Sequence, residues 1–512
     1  MKSRFFLWVV LSTLPFLLIS NNAECQQLTR EEISKAAKQE LPIAIQELRT
    51  FLSIPNNGNL SEQVLANLAY CKRQFEQLGF ATETLTTPGE PLLFAEKIFD
   101  EKAPSVLFYL QIDGQPVDSS KWQQESPYLA ALKANENGRW VQKDWSDLDL
   151  ETAMNWRIFA RSASDSKGPA MAFMKSLEII QKKGIRPAYN VKVIMDFQEE
   201  LGSPDLPELV KQRRDMFEAE LLCIMDGTRH LSNLPTLTFG ARGIATATIR
   251  VFGARRDLHS GQYGNFAPNP VFNLSRLLAS MKDEEGRVLI PGYYNDIVLS
   301  EAEKKKMNDL PEDMDQIMNS LGIAQADKVG GTYQEALQYP SLNVRGLRAA
   351  WVGKEVRTLV PAEAIAEIDM RLVPETPGER QVALLKAFIQ SKGYHLVDSI
   401  PSDEERSKYP LLASFKYRIG SKPFRTSFDS KAGLWLSDAM THAFGEKGFV
   451  KMRTTGGSQP MAPFINTLGI DAVSIRIPNP DNCIHAPNEN LRIGNFLEGI
   501  QMCLAILTQS KL

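Results

Sequence analysis

Acidic side chains recur just beyond the apolar, strand-like runs of this chain, and one histidine joins them. Gln111 and Asp113 follow SVLFYL, and Asp165 follows WRIFAR by a short loop. Glu199 and Glu200 follow NVKVIMDF, Asp226 ends LLCIM, and His485 follows DAVSIRIP after a loop. In an open α/β sheet, ligands bind outside the carboxyl ends of the strands, so these groups are expected to converge at one edge. Carboxylate and imidazole together suit a divalent ion such as Zn2+, with Mn2+ the alternative. A single carboxylate can bridge two ions roughly 3.5–4 Å apart, which is the arrangement of a two-metal hydrolytic site. In the Glu199–Glu200 pair, one acid can be a ligand and its neighbour a base. Each residue alone has an ordinary reading. Asp165 can cap a helix, the glutamate pair can be solvated loop, and His485 can be structural or exposed. Their joint placement weighs against that, without naming a reaction.

The elements that must position them alternate. QVLANLAYCKRQFEQLGF has helical spacing and ends at Gly79; GPAMAFMKSLEIIQKKG has Pro169 in its first turn and Gly184 after its end, both ordinary helix signals. SVLFYLQ, WRIFAR, NVKVIMDF and AELLCIMDG read as strands. The alternation predicts an α/β sheet, largely parallel. From Phe239 to about Pro410 the style changes to TLTFGARGIATATIRVFG and EAIAEIDMRLVP as strands, with NPVFNLSRLLASMKDEEG and TPGERQVALLKAFIQSKG as helices. That set predicts a compact sheet with two helices on one face. The charged LSEAEKKKMNDLPEDMDQIMNSLG reads as a helical surface excursion. The α/β style then returns through KAGLWLSDAMTHAFG, DAVSIRIP and NFLEGIQMCLAILTQ. One α/β domain is therefore expected in two parts, 26–238 and 411–512, with a second domain, 239–410, inserted between them.

Bulk properties narrow the class. The chain has 512 residues, too many for one core. It is 43% hydrophobic and 23% charged, with a net charge of −3, which gives no electrostatic case for nucleic acid or an anionic membrane surface. Its 5 cysteines include no C-x-x-C pair, which argues against a disulfide scaffold and against thiolate zinc. Lys2 and Arg4 precede an apolar run from Phe5 to Ile19, followed by SNNAECQQ. This reads as a signal peptide over 1–25, with secretion or a periplasmic location. The run is short for a bilayer span and contains Pro15, so stable membrane insertion is not expected. Glu24 before Cys25 argues against lipidation there.

Seven stretches occur in one order: SASDSKGPAMA, FQEELGSP, IMDG, RDLHSGQYGN, IDMRLVPETPGE, TTGGSQPMAPF and CIHAPNENL. In these the chain resembles the carnosinase, aminoacylase and glutamate-carboxypeptidase superfamily of cocatalytic metallopeptidases, most of all its carnosinase-type dipeptidase branch. The resemblance implies a mostly parallel-sheet catalytic domain with an inserted α+β, two-layer, ferredoxin-like dimerisation or lid domain. It implies hydrolysis of an amide bond in a dipeptide, small peptide or N-acyl amino acid. Asp165 matches the carboxylate bridging two metals, Glu200 and His485 the further ligands of one ion, and Asp226 a ligand of the other. Glu199 matches the general base, which takes a proton from the attacking water and passes it to the leaving amine. His259 matches a histidine that reaches the partner subunit's site in a homodimer and offsets charge on the carbonyl oxygen. Arg371 and Ser458 match residues that hold the substrate carboxylate or backbone; Asn343 and Thr358 lie in stretches that approach the substrate.

Two departures stand out. The family pattern at the end of the first metal strand is His-x-Asp, whereas this chain has Gln111-Ile112-Asp113. A Gln carbonyl is a neutral, weaker zinc ligand than imidazole and suits harder ions. Asp113 is expected to accept from the Gln111 amide and turn its oxygen toward the metal. Secondly, RTTGGS has Thr454 and Thr455 where an Arg-acid pair is common, which points to an altered substrate preference. The alternatives to a metallohydrolase are a non-catalytic binding protein that has lost a metal, and altered amide chemistry such as acyl-amino-acid transfer or condensation. Retention of the base Glu199 together with Asp165, Glu200, Asp226 and His485 argues against the first of these.

Overall fold

The computed structural model describes residues 27–459 and 461–510; the expected signal segment and Cys25 lie outside the described residues. At its centre is an eight-stranded sheet. Its order is Ala81–Leu85, Leu92–Lys97, Asn190–Asp196, Ser105–Gln111, Leu221–Ile224, Asp471–Arg476, Thr236–Thr238, Val450–Met452. The run from Asn190–Asp196 to Asp471–Arg476 is parallel throughout, and strands on either side of it join antiparallel. Every residue of Asn190–Asp196 is buried, as befits a parallel strand covered on both faces. Helices Arg30–Leu52, Lys167–Lys182, Lys431–Phe444 and Ile493–Leu507 cover one face, around Phe51, Phe108, Phe173 and Ile500. Leu206–Gln212 and Ala462–Leu468 cover the other, around Tyr109, Phe217 and Phe464. The helix Arg30–Leu52 opens with a Thr29–Glu32 capping box, which satisfies amides that the helix itself leaves free. Among the described residues no helix is long and apolar enough to cross a membrane.

Arg157–Phe159, expected in the large parallel sheet, lies instead in a four-stranded antiparallel one, between Asn490–Arg492 and Ala131–Glu136. It has three residues, too short for its periodicity to declare its partner. The consequence matters for the site: Phe159 pairs with Asn490, so the loop carrying Asp165 is tied to the segment carrying His485.

A second sheet runs Ser341–Arg348, Glu363–Leu372, Gly243–Phe252, Leu412–Ile419, His395–Val397. Burial alternates along Gly243–Phe252 and Glu363–Leu372, the signature of one covered face. That face packs on helices Pro270–Ala279 and Gly378–Ser391 through Ile249, Ile368, Leu277 and Leu385. Leu412–Ile419 lies beyond the expected boundary at 410 but pairs along Gly243–Phe252. The two crossings between the sheets run side by side, where Gly240–Ala241 pairs with Phe424–Arg425. The charged excursion forms helices Glu301–Asn308 and Met314–Leu321. It is more than a surface appendage, because Met307 is buried and Glu303 and Glu312 reach Arg453 and His230.

Candidate metal centre at the strand ends

Asp165, Glu200 and His485 come together. One ligand atom from each lies within 4.8 Å of the others. His485 Nε2 is 3.0 Å from Asp165 Oδ2 and 3.3 Å from Glu200 Oε2. The acids are almost fully buried, and the imidazole is half-exposed. Glu200 Oε1 is buried with no donor, and Gln115 donates to Oε2 at 2.7 Å. Asp226 adjoins through Ser166, whose Oγ lies 3.1 Å from Asp165 Oδ1 and 2.9 Å from Asp226 Oδ1.

The charges explain what this cluster wants. Burial, then the Asp165 charge, pushes the Glu200 carboxyl up to about 8. Burial, then the charges of Asp226 and Asp165, holds Glu199 well above the carboxylate range. Asp226 is raised by burial and Asp165. The bond to Asp165 raises the His485 imidazole to about 9. The crowded acids outnumber the positive charges beside them and leave one carboxylate oxygen without a donor, and three O and N ligands are the donor set of a divalent ion. Asp165, Glu200 and His485 therefore fit one metal.

Asp113 does not hold Gln111. Its oxygens accept from the backbone N–H groups of Glu199 at 3.0 Å and Glu200 at 3.1 Å, while Gln111 Nε2 is buried without a partner. The expected amide-to-acid bond is therefore corrected: Asp113 fixes the loop that presents Glu199 and Glu200. The reason is geometric, since two successive amides of a tight turn offer a carboxylate two donors at once.

The residues on the second sheet stand apart. His259 is exposed, pairs through its strand with Leu359, and accepts at Nδ1 from the Gly261 amide. Among the described residues no ion pair or hydrogen bond joins it to the carboxylates. Ser260 N–H donates to the Thr358 carbonyl at 3.2 Å, and Asn343 donates to Asp369 at 2.8 Å. Arg371 does reach out of the second sheet, donating to Ser458 Oγ, in the loop after Val450–Met452, at 3.0 Å.

Three supporting residues escaped the sequence reading. Glu489, fully buried, accepts from the amides of Ser162, Ser164 and Asp165 and from Arg161 Nη1 at 2.6 Å. Four residues beyond His485, it locks the Asp165 loop to the start of the strand Asn490–Arg492. Gln459 donates to Asp226 Oδ2 at 3.0 Å and accepts from Ser474. Arg476 lies buried beside Asp226. A charged residue inside the apolar DAVSIRIP was the available signal for Arg476, and the acid in CIHAPNENL for Glu489.

With this geometry in place, comparison with known proteins gives the class. The profile of "Peptidase family M20/M25/M40" matches residues 129–509, and the chain belongs to that family: by class it is a peptidase or amidohydrolase. It is similar to a Beta-Ala-His dipeptidase of Rattus norvegicus, 26% identical over 492 residues, covering 91% of this chain and 92% of that protein. A Cys-Gly metallodipeptidase of Schizosaccharomyces pombe is 24% identical over 488 residues, 92% of this chain and 95% of the other. Among solved structures, an M20 family metallo-carboxypeptidase from Sulfolobus solfataricus superposes with a TM-score of 0.73 at 26% identity, over 91% of this chain and 98% of that one.

Proposed function

We propose that the chain is an exported, metal-dependent hydrolase of amide bonds in dipeptides, small peptides or N-acyl amino acids, with zinc as its ion. The observation that carries this is the Asp165–Glu200–His485 cluster, with Glu199 buried beside it among the charges of Asp226, Asp165 and Glu200. When bound, a divalent ion there supplies Lewis acidity, polarising a carbonyl and easing loss of a proton from water. Glu199 takes the proton of the attacking water and returns it to the leaving amine. Burial suits it to both steps, because a raised affinity for the proton brings a carboxyl closer to working pH. Asp113 orients the Glu199–Glu200 turn by holding its amides. Arg371 and Ser458 form a substrate clamp, and a guanidinium is shaped for a carboxylate. The dipeptidase names of the relatives support the substrate class.

Assembly as a homodimer, with His259 serving the partner site, is supported by His259's exposure and by its bonds being to Leu359 and Gly261, with none, among the described residues, to the carboxylates of its own chain. It is also supported by apolar surface near the edge strand Ser341–Arg348, where Leu347, Val352 and Val356 are exposed. Export rests on the Lys2–Ile19 pattern, and sequencing the mature N-terminus tests it.

The decisive experiment is a panel of dipeptides and N-acyl amino acids on wild type and Glu199→Gln. Turnover is expected to fall 10²–10⁴-fold with metal content unchanged; unchanged turnover would remove Glu199 as base. Mixing inactive His259→Ala with inactive Glu199→Gln subunits is expected to restore activity in mixed dimers. No recovery there refutes a shared site.

A further inference from the structure

Two side chains beside Asp226 carry nitrogen donors with nothing to donate to: Nε2 of Gln111, and Nε and Nη2 of Arg476. Their positions follow from register. Leu221–Ile224 lies between Ser105–Gln111 and Asp471–Arg476, parallel to both. The last paired residues are Tyr109 with Ile224 and Ser474 with Ile224. Two residues on along each strand, Gln111, Asp226 and Arg476 stand level across three neighbouring strand ends. A Cβ on Gly227, at φ 93°, would collide with Nη1 of Arg476, so the guanidinium fills the space against the Asp226–Gly227 turn. The charges that act on Arg476 are those of Asp226 and Asp165. Both oxygens of Asp226 already accept hydrogen bonds, from Ser166 and Gln459.

This is poor ground for a second ion. A metal needs lone pairs, and on this side of Asp165 the Asp226 oxygens, already engaged by two donors, are flanked by unpaired amide and guanidinium N–H groups. A guanidinium does not lose its proton, so its repulsion of a dication is permanent. The other side of Asp165 has the opposite character, with an orphaned Glu200 oxygen and an imidazole. We infer that the chain holds a single resident divalent ion at Asp165, Glu200 and His485, and that Arg476 is a built-in cation standing where a two-ion site has its second metal. The inference rests on the hydrolase reading of the same site and assigns Arg476 a charge-compensating, positioning role.

The test is zinc stoichiometry on the full chain: elemental analysis after dialysis, and calorimetric titration of chelator-stripped protein with Zn2+. Wild type is expected to bind about one ion per chain. Gln111→His, which restores an imidazole but keeps the guanidinium, is expected to stay at one. Gln111→His with Arg476→Met is expected to take two. Two tight ions in wild type, or a second ion in Gln111→His alone, overturns the inference. So does a double variant that keeps the wild-type circular dichroism yet binds only one. If the double variant does not fold, wild type and Gln111→His decide the question. The two readings fail separately. A wild type with two ions that turns over peptides removes the single-ion assignment and leaves the hydrolase. A wild type with one ion that cleaves no amide removes the hydrolase and leaves the assignment.

Discussion

At the strand ends, Asp165, Glu199, Glu200 and Asp226 crowd together, and burial, then the neighbouring carboxylate charges, raises the proton affinity of Glu199, Glu200 and Asp226. Where the second sheet and its excursion meet the catalytic sheet, acids are matched one by one. Glu303 meets Arg453 at 2.6 Å, and Glu375 meets Arg425 at 2.6 Å. The same residue type is driven in opposite directions: Glu200 up to about 8 by burial and Asp165, and Glu303 down to about 2, against the cost of burial, by Ser300 and Arg453. A contact that exists to hold a fold satisfies its own charges. A site that exists to hold a ligand leaves charge for the ligand to satisfy, and the folded chain bears that cost until the ligand arrives.

Glu489 lies within the crowded region yet follows the paired rule, since it and Arg161 are buried together. Its removal is therefore the largest expected effect. Glu489→Ala leaves the Arg161 guanidinium buried alone and frees three loop amides, at a cost of about 3–5 kcal/mol in urea unfolding. The milder Glu489→Gln is expected to weaken zinc binding roughly 10–100-fold, because it loosens the loop that aims Asp165. A wild-type unfolding midpoint in Glu489→Ala would show that the Glu489–Arg161 pair does not hold the fold.

Glu200→Gln sharpens the contrast from the other side. The Glu200 carboxyl titrates near 8 in the folded chain against an ordinary 4.5. Between those values the metal-free folded state binds the extra proton, so its stability falls as pH rises through that window. Removing the carboxylate is expected to raise the melting temperature of chelator-stripped protein at pH 8 by roughly a few degrees, to flatten that pH dependence, and to abolish tight zinc binding. A destabilised metal-free Glu200→Gln would mean that the crowding is not a cost.

The crowded region was legible in the sequence and the paired region was not, for a physical reason. Asp165, Glu200, Asp226 and His485 follow strands whose apolar runs announce themselves, and strand ends are where an α/β sheet gathers its ligands. Glu489 works by accepting amides from residues 162–165, a contact that no local pattern encodes. Gln111 was noticed as an oddity, but its partner in that oddity, Arg476, sits two strands away across the sheet. The same limit explains the edge of the second sheet. Pro410 reads as a break, while Leu412–Ile419 belongs to its distant partner Gly243–Phe252. The excursion read as surface because its helices are charged. Its Glu303 and Glu312 point inward to Arg453 and His230, and charge alone does not tell which way a side chain faces.

The smallest expected effect tests the paired half of the comparison. Glu303 titrates near 2 in the folded chain against an ordinary 4.5. A depressed carboxyl contributes stability that is fully present above the unfolded value and is lost as pH falls toward the folded one, so its window is about 4.5 down to about 2. The Glu303 side chain is 35% exposed, and solvent screening limits the contribution to about 1 kcal/mol or less. Glu303→Gln is therefore expected to leave the melting temperature at pH 7 only slightly lowered and to reduce the slope of stability between pH 4.5 and the acid limit. Peptide turnover and zinc stoichiometry should not change, because Arg453 lies at the joint and not at the strand-end cluster. If Glu303→Gln instead altered turnover several-fold at unchanged stability, the joint would be acting on the site, and the division between charges that hold the fold and charges that await a ligand would fail at this residue.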